Sequence, residues 1–207
     1  MTAGHTESTA AARQGGRTPR SRLKPEREAE LYAAVLDLLR ELGYESLTMD
    51  AIAARTRCSK ATLYRQWSGK PELVAMALRH EKPASFDGID TGSLRGDLEA
   101  LVGQINDRQV EKDTALMRAL FHAVHTHPEL LQALRDVLID PELSGFNALL
   151  ARAAARGEAA ADTPAAAYIP QMLLGALITR PLLDNQPADA AFVHEYLRAV
   201  VLPALGL

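Results

Sequence analysis

The chain has 207 residues, 47% of them hydrophobic and 24% charged, the balance of a globular protein with a true core and not of a disordered one. Its single cysteine, Cys58, excludes an internal disulfide and suits a reducing cytoplasm. No run of eighteen uninterrupted apolar residues suggests a membrane span, and no apolar leader suggests secretion. The net charge of −3 hides an asymmetry, since residues 1–82 carry 14 Lys and Arg against 10 Asp and Glu, while the rest carry nine against 16. A basic front on an acidic body is the charge pattern of a nucleic-acid reader joined to a second module.

Residues 1–23 are rich in Gly, Ser, Thr, Ala and Arg without periodicity and read as a disordered basic arm. Pro25 opens a helix in which Leu31, Val35, Leu38, Leu39 and Leu42 keep helical spacing, with Gly43 as its stop. Thr48 can cap a short helix over 49–55 with Ile52 inward, and Ser59 another over 60–66 with Leu63 and Trp67 inward. Ser68-Gly69-Lys70-Pro71 interrupts the chain before a fourth helix over 72–81. A Pro-, Ser-, Asp- and Gly-bearing stretch at 83–92 then separates a head, 24–82, from a body, 83–207. In the body, helices are expected at 93–110, 114–126, 128–139, 142–156, 164–183 and 188–205, with Pro141 breaking or kinking one and Pro170 and Pro181 bending another. No alternating β-branched run appears, so the fold class is all-α.

Two helices of about seven residues separated by residues 56–58 have the spacing of a helix-turn-helix. With Leu63 and Trp67 inward, residues 60, 61, 64 and 65 lie on the opposite face. Lys60, Tyr64 and Arg65 are long-armed there and Ala61 leaves the surface sterically open, as a helix entering the major groove requires. From Arg55 to Lys70 there are five cations and no Asp or Glu.

On these residues the stretch 25–78 resembles the DNA-binding domain of the TetR family of repressors. The resemblance is carried by Leu47-Thr48-Met49-Asp50-Ala51-Ile52-Ala53 and by the run from Ser59 to Leu73, which reads SKATLYRQWSGKPEL. One departure is Arg57-Cys58, where the family usually has Gly and an aliphatic residue, so Arg57 must accept the turn's backbone strain or the turn is shaped differently. The resemblance implies phosphate contacts from Thr48, Tyr64 and Lys70 and base contacts from Lys60, Ala61, Arg65 and Gln66. Arg20, Arg22 and Lys24 could enter a neighbouring minor groove.

The resemblance also implies a dimer made by the last two helices and an internal pocket. The segments 164–183 and 188–205 are apolar around much of their circumference, as helices covered on two sides are. Leu173, Leu177, Tyr196 and Val200 are the candidate interface residues, though two ordinary core helices would read alike. Met117, Leu120, Phe121, His125, Phe146 and Tyr168 are candidates to line a pocket for a small hydrophobic ligand; each also reads as plain core. His122, His125 and His127 lack the nearby Cys or acidic residue that would complete a tetrahedral metal set, and Cys58 beside Arg57 reads as a half-buried turn residue or a reactive thiol.

The expected partners are therefore a double-stranded DNA operator, a second copy of the chain in C2 symmetry and a small inducer, with no cofactor, metal or membrane. No nucleophile elbow, phosphate loop or His-Glu-x-x-His run favours an enzyme. An architectural DNA-binding protein without a ligand is the other reading.

Overall fold

The computed structural model describes residues 23–82, 84–106, 116 and 120–207; every described element is helical. Helix α1, Pro25–Ser46, starts on the proline, and its buried residues include Leu31, Val35, Leu38 and Leu39. Its end differs from the expectation. Gly43 does not stop the helix but kinks it, at φ 74°, and a further turn brings Tyr44 and Leu47 inward while Leu42 is left exposed. Glycine takes that left-handed backbone without a Cβ clash.

Helices α2 (Met49–Thr56) and α3 (Lys60–Gln66) start at their predicted caps, since Thr48 Oγ1 accepts from Ala51 N–H and Ser59 Oγ from Thr62 N–H, each at 3.1 Å. Ile52, Leu63 and Trp67 are buried against α1, and Trp67 meets Tyr32 edge-on at 5.9 Å. Helix α4, Lys70–Glu81, closes this core with Leu73, Val74, Ala75 and Ala77.

In the body, α5 covers Leu94–Val102, α6 is the helical stretch 120–126 and α7 is Pro128–Leu134. Pro141 does not break the chain's course. Residues Arg135–Ile139 widen into one π-turn, Asp140 N–H bonds the carbonyl of Arg135, and α8 continues over Asp140–Ala155. The same device precedes Pro203, where Leu202 N–H bonds the carbonyl of Leu197 five residues back. A proline ring clashes with the carbonyl four residues earlier, and the extra residue in the turn makes room for it. Two short 3₁₀ turns, Ala159–Asp162 and Pro164–Tyr168, lead into α9, Ile169–Leu183. Pro170 therefore starts α9 and does not bend it, and only Pro181 lies inside. Helix α10, Ala190–Tyr196, continues through its π-turn into a last turn at Leu202–Ala204.

The apolar side chains form two cores. One holds α1 to α4 together with Leu116, Leu120, Ala123, Leu130 and Leu134, so packing crosses the boundary read between residues 82 and 83. The other joins α5, α8, α9 and α10 around Leu98, Phe146, Leu149, Ile169, Val193 and Val201. The loop before α5 is tied to the end of α8 by polar contacts. Buried Asp97 accepts from Thr91 N–H at 2.7 Å and Thr91 Oγ1 at 2.8 Å. Arg156 reaches Asp97 at 3.3 Å and Glu158 at 2.7 Å, and Arg152 donates to the carbonyl of Ile89 at 2.8 Å. Gly145 belongs to this seam, because a Cβ there would lie 2.8 Å from the ring of Phe86.

Candidate nucleic-acid interface

Three-residue spacing between α2 and α3 requires the backbone to reverse sharply, and Arg57 does so in the left-handed region at φ 51°, ψ 34°. Of the two outcomes left open by a non-glycine residue, the chain takes the strained one. Arg57 N–H closes the turn on Ala54 and Cys58 N–H on Ala53. Cys58 is half-buried against the first core.

That turn sets α3 on the surface with Leu63 and Trp67 behind it and Lys60, Ala61, Tyr64 and Arg65 in front, all four exposed. Gln66 is half-buried at the end of the same helix. Arg65 makes no ion pair among the described residues. Tyr64 is 53% exposed, a large aromatic left in water on this face. Thr48 is exposed at the start of α2, its oxygen accepting the capping N–H and its own O–H free of that bond.

Several other head cations are held. Lys60 Nζ lies 2.7 Å from Asp50 Oδ1 and 2.8 Å from Oδ2. Arg55 is bidentate to Glu41 at 2.6 and 3.2 Å, and Arg27 donates to Glu30 and to the carbonyl of Thr56. Its hydrogen bond to Asp50 is the leading reason the Lys60 ammonium titrates above its ordinary range.

Lys70 sits deeper than a phosphate anchor read from sequence alone would. Its Nζ donates to the carbonyl of Tyr44 at 2.8 Å and lies 4.1 Å from the centre of that ring. Burial holds its pKa below the usual lysine value, against the pull of Glu129 and Glu45. Tyr44 packs edge-on against His127 at 5.1 Å, at the start of α7. Burial, then the charge of Glu129, raises its hydroxyl to about 12. Lys70 therefore stands where head meets body, a junction that the sequence pattern did not reveal. Of the arm residues, Lys24 is exposed at the cap of α1, whereas Arg20 and Arg22 lie outside the described residues.

The residues read as a ligand pocket do not converge. Leu120 belongs to the first core and Phe146 to the second. Phe121 is 43% and Tyr168 62% exposed, His125 is turned back to the carbonyl of Phe121 at 2.8 Å, and Met117 is outside the described residues. A cavity of about 360 Å³ opens elsewhere, between α9 and α10, lined by Met172, Thr179, Arg180, Phe192 and Tyr196 among others. Among the described residues no three of His, Cys, Asp and Glu gather as metal ligands; His122 lies 3.7 Å from Glu45 instead.

The candidate dimer residues are divided as well. Leu173, Leu177 and Tyr196 are half-buried against the chain's own second core, while Val200 is 37% exposed. The outward stripe of α9 is Leu174, Ile178 and Leu182, with Leu174 at 50% and Leu182 at 78% exposure. Its i, i+4, i+8 spacing was the signal available in the sequence. Pro164–Leu183 has a mean hydropathy of 1.2 over its most apolar window, of which only 11% is buried, so by length and composition it could cross a membrane.

Residues 31–77 match the family model described as bacterial regulatory proteins, tetR family, and residues 89–200 match that of the tetracyclin repressor-like C-terminal domain. The chain is 36% identical over 177 residues to the DNA-binding transcriptional repressor TetR of Mycobacteroides abscessus, covering 85% of this chain and 92% of that protein. It is similar in structure to the TetR family transcription regulator SCO0332, with TM-score 0.57 and 26% identity over 88% of this chain and 98% of the other. The fold is also that of the Flavonoid-responsive Regulator FrrA, at TM-score 0.59 and 20% identity, covering 88% and 97%.

Proposed function

Since the chain belongs to the TetR family of bacterial regulatory proteins, and is thus a DNA-binding transcription regulator and not an enzyme, we propose that it is a dimeric repressor of a palindromic operator, released by a small hydrophobic inducer. The observation that carries the DNA reading is the exposed face of α3, where Lys60, Ala61, Tyr64 and Arg65 stand opposite the buried Leu63 and Trp67. Lys60, Arg65 and Gln66 supply donors for base edges and Ala61 gives room for close approach. Thr48, Tyr64 and Lys70 grip phosphates on either side and set the register. Lys24, with Arg20 and Arg22, extends the contact along the neighbouring groove.

One head offers too little contact for selective binding, so two copies act together. Support for this comes from α9, whose outward Leu174 and Leu182 are left exposed by the described residues. A two-fold axis presents two identical helices to inverted half-sites. Induction then needs only a small change in the separation or tilt of the heads. The junction of Lys70 and Tyr44 with His127 is the place where a shift of α7 would reach the phosphate grip. The protein works in the cytoplasm, where the DNA is.

The test is enrichment of bound duplexes from a randomised pool. An inverted repeat should emerge for the wild type, and Arg65→Ala should bind it about 1–3 kcal/mol more weakly with relaxed preference. An unchanged motif and affinity would take Arg65 off the reading face. A thermal-shift screen that begins with flavonoids and other flat apolar compounds tests the inducer, because a ligand of the folded state raises its melting temperature.

A further inference from the structure

Asp50 suits the first turn of α2 by its charge, but its pairing with Lys60 adds little as a stabilising contact. Its side chains are 73% and 49% exposed, and exposed ion pairs contribute little to folding. Its place is also adverse. Asp50 stands two residues after Thr48 at the edge that faces DNA in the reading above, where a carboxylate repels phosphate and weakens binding to every sequence. The chemistry of the two groups together is more informative. Lys60 presents three N–H donors and Asp50 two acceptor oxygens, side by side at 2.7 Å.

In the major groove a G·C pair presents the complement, the O6 and N7 acceptors of guanine beside the N4 donor of cytosine. The O6 and N4 groups are hydrogen-bonded to each other at about 2.9 Å, close to the spacing of the Asp50–Lys60 pair. Lysine alone would accept a phosphate as readily as a base, being a flexible point charge.

We propose that Asp50 is a specificity-determining residue, which holds the Lys60 ammonium off the phosphates and joins it in reading one G·C base pair in each half-site. This rests on the proposed placement of α3 in the major groove. Asp50 both positions Lys60 and accepts from the cytosine amine, so the pair reads both partners of the base pair and its orientation. Its other effect is selectivity by repulsion, because a carboxylate near the backbone penalises every site that does not repay it with a base contact.

Three full-length proteins, wild type, Asp50→Asn and Lys60→Ala, each enrich duplexes from the same randomised pool, and Asp50→Ser, which keeps a residue suited to a helix start, serves as a second variant. The wild-type motif should hold one G·C pair per half-site whose preference falls about tenfold in all three variants, with the other positions retained. Asp50→Asn should bind a random-sequence duplex several-fold more tightly, with the salt slope steeper by about 0.9 as Lys60 gains a phosphate. A motif for Asp50→Asn identical to the wild type's, or one weakened evenly at all positions, overturns the proposal. If Lys60→Ala enriches the wild-type motif unchanged, Lys60 does not read DNA and the role of Asp50 falls, whereas loss of the motif in Arg65→Ala still upholds the reading face. Melting curves of each variant confirm that the comparison is between folded proteins.

Discussion

Charge placed on the outer stripe of α9 should separate the proposed dimer without harming the protomer. Leu182 is 78% exposed, so its side chain contributes little within the chain and has almost all of its surface left to bury in a partner. Full burial of a leucine stabilises by about 1.5–3 kcal/mol, which leaves about 2 kcal/mol at this position. An isologous interface contains the residue twice, so Leu182→Glu removes about 4 kcal/mol, roughly a thousandfold in the dimer dissociation constant. Desolvating the introduced carboxylates adds to the loss. Sedimentation across a concentration series measures the constant directly, and Leu174→Glu, also on the stripe at 50% exposure, should act in the same direction. Protomer melting at high dilution should stay as it was, while binding to an inverted repeat should weaken to that of one head. A dissociation constant unchanged in both variants refutes the argument and moves the interface to another face.

Replacing Arg57 by glycine relieves the left-handed backbone at φ 51°, and should raise stability by about 0.5–1 kcal/mol in denaturant titration after the extra flexibility of unfolded glycine is deducted. Lower stability would mean that the turn is held by the arginine side chain. Lys70→Ala should weaken binding to all duplexes alike, with the salt slope reduced by about 0.9; the melting temperature should also fall, because the bond to Tyr44 is lost. A loss confined to one sequence would contradict the phosphate role. Asp97→Asn should cost about 1.5–3 kcal/mol at neutral pH, as expected for hydrogen bonds to a charged group. Burial pushes the Asp97 carboxyl up, but Thr91 and Arg156 outweigh it and leave it below its ordinary range. Its contribution is therefore present above the unfolded value of about 3.9 and disappears as pH falls through the lower folded one. The gap between wild type and variant should close in acid, and a gap constant from neutrality to about pH 3 would refute the assignment.

The head was legible because its signals are local. Thr48 and Ser59 announce their helices by capping chemistry, and Leu63 and Trp67 fix by their spacing which face of α3 is left outside. Gly43 was ambiguous in the same local terms, since a left-handed glycine can end a helix or kink it, and the burial of Tyr44 and Leu47 decides between these. Pro141 could be read only as a break or a kink, because a proline signals a missing hydrogen bond but not the π-turn that accommodates it. The ion pairs of Lys60 with Asp50 and of Arg55 with Glu41 join residues 10 and 14 apart across a turn, so no periodicity reports them. The pocket residues failed to converge for a related reason. Apolar periodicity says that a side chain is buried but not in which core, and Leu120 and Phe146 went to different ones.

The packing of Leu120, Leu130 and Leu134 onto the head bears on modularity. A fragment cut after residue 82 would retain all its recognition chemistry yet bare the side of α4 that these leucines cover, so it should be sticky and poorly folded. A head transplanted onto a foreign sensor would meet the same difficulty unless α6 and α7 travelled with it. The transferable unit in this protein is thus the DNA reader plus the first layer of what controls it. Exchange between such regulators would succeed where that layer is kept intact, and fail where the splice follows the loop.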